Sequence, residues 1–230
     1  MTQTALIVGA SRGIGLGLVG EFERRGWEVI GTAREPTKAE ALNAVATHSG
    51  GRVQVEQADT ADVKSVEALR DRLDGQTFDL IVVNAGVGGP NANPRTVSDD
   101  EFTRLFVTNS LAPVRLAEVF AKQVKPRTGV IGLMTSGLGS VEGASAGGME
   151  LYRASKAALN SFTRSFAARH KDKDLAVLSL HPGWVRTDMG GPNAAIDVAT
   201  SVKGLADVVE RAQKDRKDGF FDYKGETLPW

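Results

Sequence analysis

Short apolar runs alternate with longer segments of helical period from one end of this chain to the other. The runs Ala5–Val8, Trp27–Thr32, Arg52–Gln57, Leu80–Val83, Gly129–Thr135 and Ala176–His181 predict strands. Most are almost continuously apolar, which is the pattern of strands buried on both faces of a parallel sheet. Between them, Leu16–Arg25, Val63–Leu73, Glu101–Val124, Leu151–Arg169 and Asp197–Gln213 carry apolar residues at three-to-four spacing and predict helices. Asp62 and Asp99 stand where N-caps belong, and Gly26 and Gly75 where helices should stop. Pro113, inside the third of these helical patterns, predicts a kink or bend. Strand–helix alternation of this kind folds most simply as an α/β, Rossmann-like, doubly wound parallel sheet with helices on both faces. No repeat, low-complexity tract or linker divides the chain, so residues 1–230 are expected to form one domain.

Composition narrows the chemistry. The 230 residues carry 28 basic and 28 acidic side chains, a formal net charge of +0, so no electrostatic footprint for nucleic acid or an anionic membrane is expected. There is no cysteine, which removes disulfides, thiolate metal sites and cysteine nucleophiles. The three histidines, His48, His170 and His181, are not at metal-ligand spacing, and no metal is expected. No apolar stretch approaches the ~20 residues of a membrane span, and the first residues lack the basic region of a signal peptide. A cytoplasmic protein is the expectation.

The candidate chemistry begins where the first strand runs into Gly9-Ala10-Ser11-Arg12-Gly13-Ile14-Gly15. Glycines at a first strand-to-helix turn let backbone amides approach a pyrophosphate at the positive end of a helix, so the loop predicts a dinucleotide. The spacing is Gly-x-x-x-Gly-x-Gly, and no Gly-Lys-Ser/Thr follows to make a phosphate loop of the NTPase kind. At the end of the second strand, where an acidic residue would bond the ribose hydroxyls of NAD, the chain has Arg34, with Glu35 next. Arg12 projects from the loop toward the same region. Two guanidinium groups there favour a 2′-phosphate, hence NADP(H) over NAD(H).

Tyr152 and Lys156 lie four apart in an alanine-rich segment with good helix propensity, on one helix face. A lysine ammonium near a phenol favours phenolate, lowering a pKa that is otherwise about 10. Such a tyrosine can exchange a proton with a carbonyl or alcohol oxygen near neutral pH. Tyr223 has no lysine partner and reads as packing or surface.

With the glycine loop and Asn84-Ala85-Gly86 after the fourth strand, this pair resembles the short-chain dehydrogenase/reductase family, over essentially the full length and in family order. The resemblance implies hydride transfer between a nicotinamide and a small carbonyl or alcohol substrate. It implies that Gly9, Ser11, Arg12, Gly13, Ile14, Gly15 and Arg34 form one side of the cofactor site, with Asp59 and Thr60 at the adenine. Asn84, Ala85 and Gly86 would brace the sheet beside the cofactor. Pro182, Gly183, Val185 and Thr187 match the loop over the nicotinamide and phosphates. Asn109, Ser136, Tyr152 and Lys156 match the catalytic tetrad: Tyr152 as acid/base, Lys156 holding the ribose, Ser136 on the substrate oxygen and Asn109 supporting a relay water. The segment His181–Asn193 and the Leu228-Pro229-Trp230 end are similar to the subgroup of Sniffer-type carbonyl reductases and C-factor signalling proteins. That subgroup keeps a second expectation open, an NADP-binding signalling or redox-sensing protein with vestigial catalysis. A nucleotide-binding methyltransferase would leave Tyr152 and Lys156 unexplained.

The interval from Ser136 to Tyr152 is longer than the family's usual one, which makes Ser140, and more remotely Ser145, rivals of Ser136. Ser136 follows its strand directly and is preferred. His181 reads as structural, since Tyr152 already supplies the acid/base. Trp184, Met189 and Met149 are open between pocket lining and packing. The short stretch between Thr187 and Asp197 predicts a small lid over an open site. Ala157, Ala158 and Phe162 continue the Tyr152 helix face, where the family commonly pairs subunits, implying a homodimer or homotetramer.

Overall fold

The structure, a computed structural model, describes residues 2–89, 94–145 and 147–230, with the Lys173 side chain left out. Ala146, within the Gly-rich segment before Tyr152, lies outside the described residues. The strands are β1 (Thr4–Val8), β2 (Glu28–Ala33), β3 (Val53–Gln57), β4 (Leu80–Val83), β5 (Val130–Met134), β6 (Ala176–His181) and β7 (Gly219–Asp222). The helices are α1 (Gly13–Arg24), α2 (Glu40–His48), α3 (Val63–Arg72), α4 (Asp99–Phe106), α5 (Ala112–Phe120), α6 (Glu150–Arg169) and α7 (Val198–Asp215). The strands form one seven-stranded sheet in the order β3-β2-β1-β4-β5-β6-β7, every pairing parallel.

Alternation along each central strand explains why those runs are apolar throughout. Ala5 and Ile7 of β1, Leu80 and Val82 of β4, and Val130 and Met134 of β5 join one core, with Leu18 and Phe22 of α1 and Leu205 and Val209 of α7. Their sequence neighbours Leu6, Val8, Ile81, Val83, Ile131 and Leu133 join the other, with Leu69 of α3, Phe120 of α5 and Phe166 of α6. With both pleat faces covered, no position along these strands is left for a polar side chain. Close approach is carried by small residues. A Cβ on Gly17 would lie 2.6 Å from Val198 Cγ1, so α1 and α7 could not seat as they do with a larger residue there.

The departures from expectation are local. The helix expected from Leu16 starts at Gly13, three residues nearer the glycine loop. Ser98, not Asp99, caps α4, in a capping box with Glu101. The kink expected at Pro113 is a π-helical turn over Val107–Leu111, joining α4 to α5. Proline has no amide to offer the Asn109 carbonyl four residues back, so the regular ladder fails there. Helix α2 and strand β7 were not expected from the pattern; α2 buries only Leu42 and β7 has four residues. Asp62 caps α3, and Gly26 and Gly75 take positive φ just beyond α1 and α3. Among the described residues, no helix is long and apolar enough to cross a membrane.

Candidate active site

The strand order reverses between β1 and β4, and at such a switch point the loops leaving the carboxyl ends diverge and open a crevice. Gly9 leaves β1 with φ +82° and Asn84 leaves β4, its amide donating to the Val8 carbonyl at 2.9 Å. Asn84 Nδ2 donates to the Gly9 carbonyl at 3.0 Å, and the Gly9 amide donates to Thr32 Oγ1 at 3.1 Å. The loop is thus pinned from both sides. A Cβ on Gly15 would collide with the Gly9 carbonyl and lie 2.7 Å from Asn84 Nδ2; one on Gly9 would lie 2.9 Å from the Ala85 nitrogen. Both positions tolerate only glycine. Arg12, the N-cap of α1, makes no side-chain cap, and the first turn carries no acid. The leading amides of α1 are therefore free of any competing carboxylate at the positive end of the helix. A dinucleotide's pyrophosphate fits this cradle. Ser11 is half-buried in it, and Ile14 packs onto the core beneath.

Around the cradle, Gly13 faces Thr187, whose Cγ2 would be 3.5 Å from an added Cβ. Thr187 belongs to a loop tied by its own short ladder: Val185 bridges Ile196, and the Arg186 amide donates to the Ile196 carbonyl at 2.8 Å. Ser201 Oγ donates to the Pro182 carbonyl at 2.7 Å, and Gly183 takes φ +85° against the Tyr223 ring. Tyr223 is a packing residue, as expected. Arg12 pairs at 2.8 Å with Asp188 of the same loop, both side chains well exposed. Arg34 lies exposed just past β2 with no ion pair among the described residues, while Glu35 is held by Lys38. Asp59 Oδ1 accepts the Ala61 amide at 3.0 Å across half-buried Thr60.

Opposite the cradle, α6 carries Tyr152 and Lys156. Lys156 is 4% exposed, and its Nζ donates to the Met134 carbonyl at the end of β5, at 2.9 Å. Burial brings its pKa down to about 8. Asn109, fully buried in the π turn, accepts the Val87 amide on Oδ1 at 2.8 Å and donates from Nδ2 to the Val87 carbonyl and to Ser155 Oγ. A Cβ on Gly86 would lie 3.4 Å from both Asn109 Oδ1 and Lys156 Nζ, so these two groups border one small gap. Ser136 lies two residues past the end of β5 and caps the 3-10 turn Gly137–Gly139, its Oγ accepting the Leu138 amide at 3.2 Å. It also lies near enough to the Tyr152 phenol to favour the ionised form.

One expectation is corrected. Burial pushes the Tyr152 phenol up, and Ser136 draws it back only in part. Lys156 does not lower it: Nζ is 5.9 Å from the ring centroid and engaged with Met134. Between the rival serines, Ser140 Oγ accepts the Gly143 amide at 2.9 Å and closes a turn, whereas Ser136 reaches Tyr152. Trp184, Met189 and Met149 are exposed, which sets them apart from the packed core. Met189 Cγ lies 3.8 Å from the Cβ position of Gly88, and Tyr152 Cβ lies 3.3 Å from that of Gly89, so Met189 and Tyr152 flank one short loop. Thr32, Met134, Ser155 and Asp188 each position a site residue and escaped the sequence reading; all four act through contacts more than twenty residues apart, which no local spacing reveals.

The short chain dehydrogenase family model matches residues 3–196. Along the whole of both chains, the fold superposes with a TM-score of 0.95 and 44% identity on a short-chain dehydrogenase/reductase of Burkholderia multivorans solved with bound NADP. It superposes with a TM-score of 0.91 and 29% identity on the carbonyl reductase Sniffer of D. melanogaster, again with full coverage of both. The C-signal protein of Myxococcus xanthus is 36% identical over 155 residues, spanning 66% of this chain and 92% of that protein.

Proposed function

Because this chain belongs to the short-chain dehydrogenase/reductase family of oxidoreductases, we propose that it is an NADPH-dependent carbonyl reductase acting on small aldehydes, ketones or quinones. The observation that carries this reading is Tyr152 under the influence of Ser136 on one helix face with a buried lysine, opposite an uncapped helix end. The cofactor would lie across the β1/β4 crevice, held by Gly9, Ser11, Arg12, Gly13, Ile14 and Gly15, with Asp59 and Thr60 at the adenine and Asn84, Ala85 and Gly86 beneath. Pro182, Gly183, Val185 and Thr187 would close over it. Bound there, the reduced nicotinamide supplies a hydride to the carbonyl carbon. Tyr152 gives its hydroxyl proton to the carbonyl oxygen, and a phenol kept protonated by burial is in the right state to do so. Ser136 donates to the same oxygen and stabilises the charge that develops on it. Lys156 holds the cofactor ribose and, across the gap it shares with Asn109, returns a proton toward Tyr152 by way of water. Arg34, exposed and in no ion pair among the described residues, supports a preference for the 2′-phosphate.

The C-signal relative favours a second reading, an NADP-binding signalling or redox-sensing protein. NADPH oxidation against a panel of aldehydes, ketones and quinones separates the two. The reductase reading expects turnover in the wild type and a loss of at least about a hundredfold in Tyr152→Phe, with NADPH still bound. Tight NADPH binding without turnover on any carbonyl would favour the sensor. The exposed Phe162 beside Ala157 and Ala158 on α6 supports assembly of this chain through that face.

A further inference from the structure

His181 closes β6 and has no task in the reaction above. Its ring lies directly behind the turn that carries Ser136: a Cβ on Gly137 would come within 3.2 Å of both Cδ2 and Nε2. Gly137 opens the 3-10 turn that Ser136 caps, so ring, turn, serine and tyrosine form one chain of contacts. The ring's Nδ1 is buried with no hydrogen-bond partner among the described residues. An apolar ring of similar size would fill the same space without leaving a polar atom unpaired, so packing alone does not account for a histidine.

We propose that His181 is a positioning residue: its neutral ring backs the Ser136–Gly139 turn and keeps Ser136 beside the Tyr152 hydroxyl, and protonation of the ring withdraws that support. A protonated ring carries an N–H at both nitrogens, and the buried Nδ1 has no acceptor to meet it. Among the described residues, the charged group that acts on the ring is the Asp222 carboxylate, its register partner on β7. Asp222 attracts a charged ring toward β7, away from Gly137. Burial opposes that charge and holds the His181 pKa below the usual histidine range, with Asp222 countering in part, so the ring stays neutral near pH 7. The inference rests on the reductase reading and adds to it an acid-side loss of activity that Tyr152 and Lys156, which titrate on the alkaline side, do not produce.

The test is kcat, KM and their pH dependence between about pH 5 and 8 for wild type, His181→Ala, His181→Phe, Ser136→Ala and the Ser136→Ala/His181→Ala double variant. His181→Ala should lose about tenfold in kcat with the KM for NADPH unchanged, and should cost nothing further in the Ser136→Ala background. His181→Phe keeps the ring's bulk without its titration, so it should lose less than His181→Ala and lack the acid limb. It also decides the matter if His181→Ala fails to fold. An acid limb surviving in His181→Phe, or an undiminished tenfold loss in the Ser136→Ala background, would overturn the proposal. Absence of wild-type turnover with every carbonyl would overturn the reductase reading and this inference together, whereas the outcomes above fail this inference alone.

Discussion

The Lys156 ammonium is held almost out of solvent, one N–H on the Met134 carbonyl, with its pKa drawn from the usual 10.5 to about 8. Between those two values the unfolded chain binds a proton that the folded chain has released, so stability rises with pH across that window. Below about pH 8 the buried charge costs roughly 3 kcal/mol, and that cost fades toward pH 10.5. Lys156→Met should therefore be more stable than wild type at pH 7, with the difference shrinking by about that amount as pH rises through the window, as denaturant melts would measure. A constant difference across that range would mean the ammonium is not desolvated. A second residue-scale expectation concerns Arg34. If it holds a 2′-phosphate, Arg34→Ala should weaken NADPH binding by about 1–3 kcal/mol and leave NADH binding unchanged. Titration of both cofactors decides this, and equal losses would remove the preference. At this scale the sequence is legible where chemistry depends on local spacing. Tyr152 and Lys156 share a helix face because they are four residues apart. The phenol's actual environment was not legible, since it depends on Ser136 from the turn after β5 and on burial by elements far along the chain.

Among the elements, the 3-10 turn Gly137–Gly139 sits so close to α6 that a Cβ on Gly139 would lie 2.8 Å from the Lys156 carbonyl carbon, and Asn160 Nδ2 holds the Gly139 carbonyl at 3.2 Å. Backbone against backbone leaves no flexible group to yield. Gly139→Ala should destabilise the fold by about 1–3 kcal/mol and lower kcat more than it raises the KM for NADPH, because the displaced turn carries Ser136. Thermal melts and steady-state kinetics on one preparation check both; a stability loss with kcat intact would detach the turn from the chemistry. The long central elements were readable from hydrophobic pattern because β1, β4 and β5 bury both faces and α6 runs for twenty residues. The short ones were not. Helix α2 has a single buried residue and so almost no apolar period, and β7 follows a charged run with only Gly219, Phe220, Phe221 and Asp222. The π turn was half legible. Pro113 announced an interruption, but where the register would be absorbed depends on Asn109 being tied to Val87.

For the molecule as a whole, the sheet order places the glycine cradle, the Asn84 segment, the Ser136 turn and the Pro182–Thr187 loop along one edge, each following a different parallel strand. The loop after β6 is the one that a lid would be built from, and it is held at both ends: Pro182 by Ser201 of α7, Val185 and Arg186 by Ile196. Between those ties only the short turn around Thr187–Gly191 is left, itself closed by the Gly190 amide on Thr187 Oγ1 and by Trp184 Nε1 on the Gly190 carbonyl. Large-scale opening would require those bonds and the start of α7 to give way together. Substrate and product therefore exchange past a fixed rim, without waiting on a swinging flap. In kinetic terms, a viscogen such as glycerol, which slows segmental motion, should leave the turnover number of this protein unchanged, and a turnover number that fell in proportion to viscosity would show that the tied loop unties in every cycle.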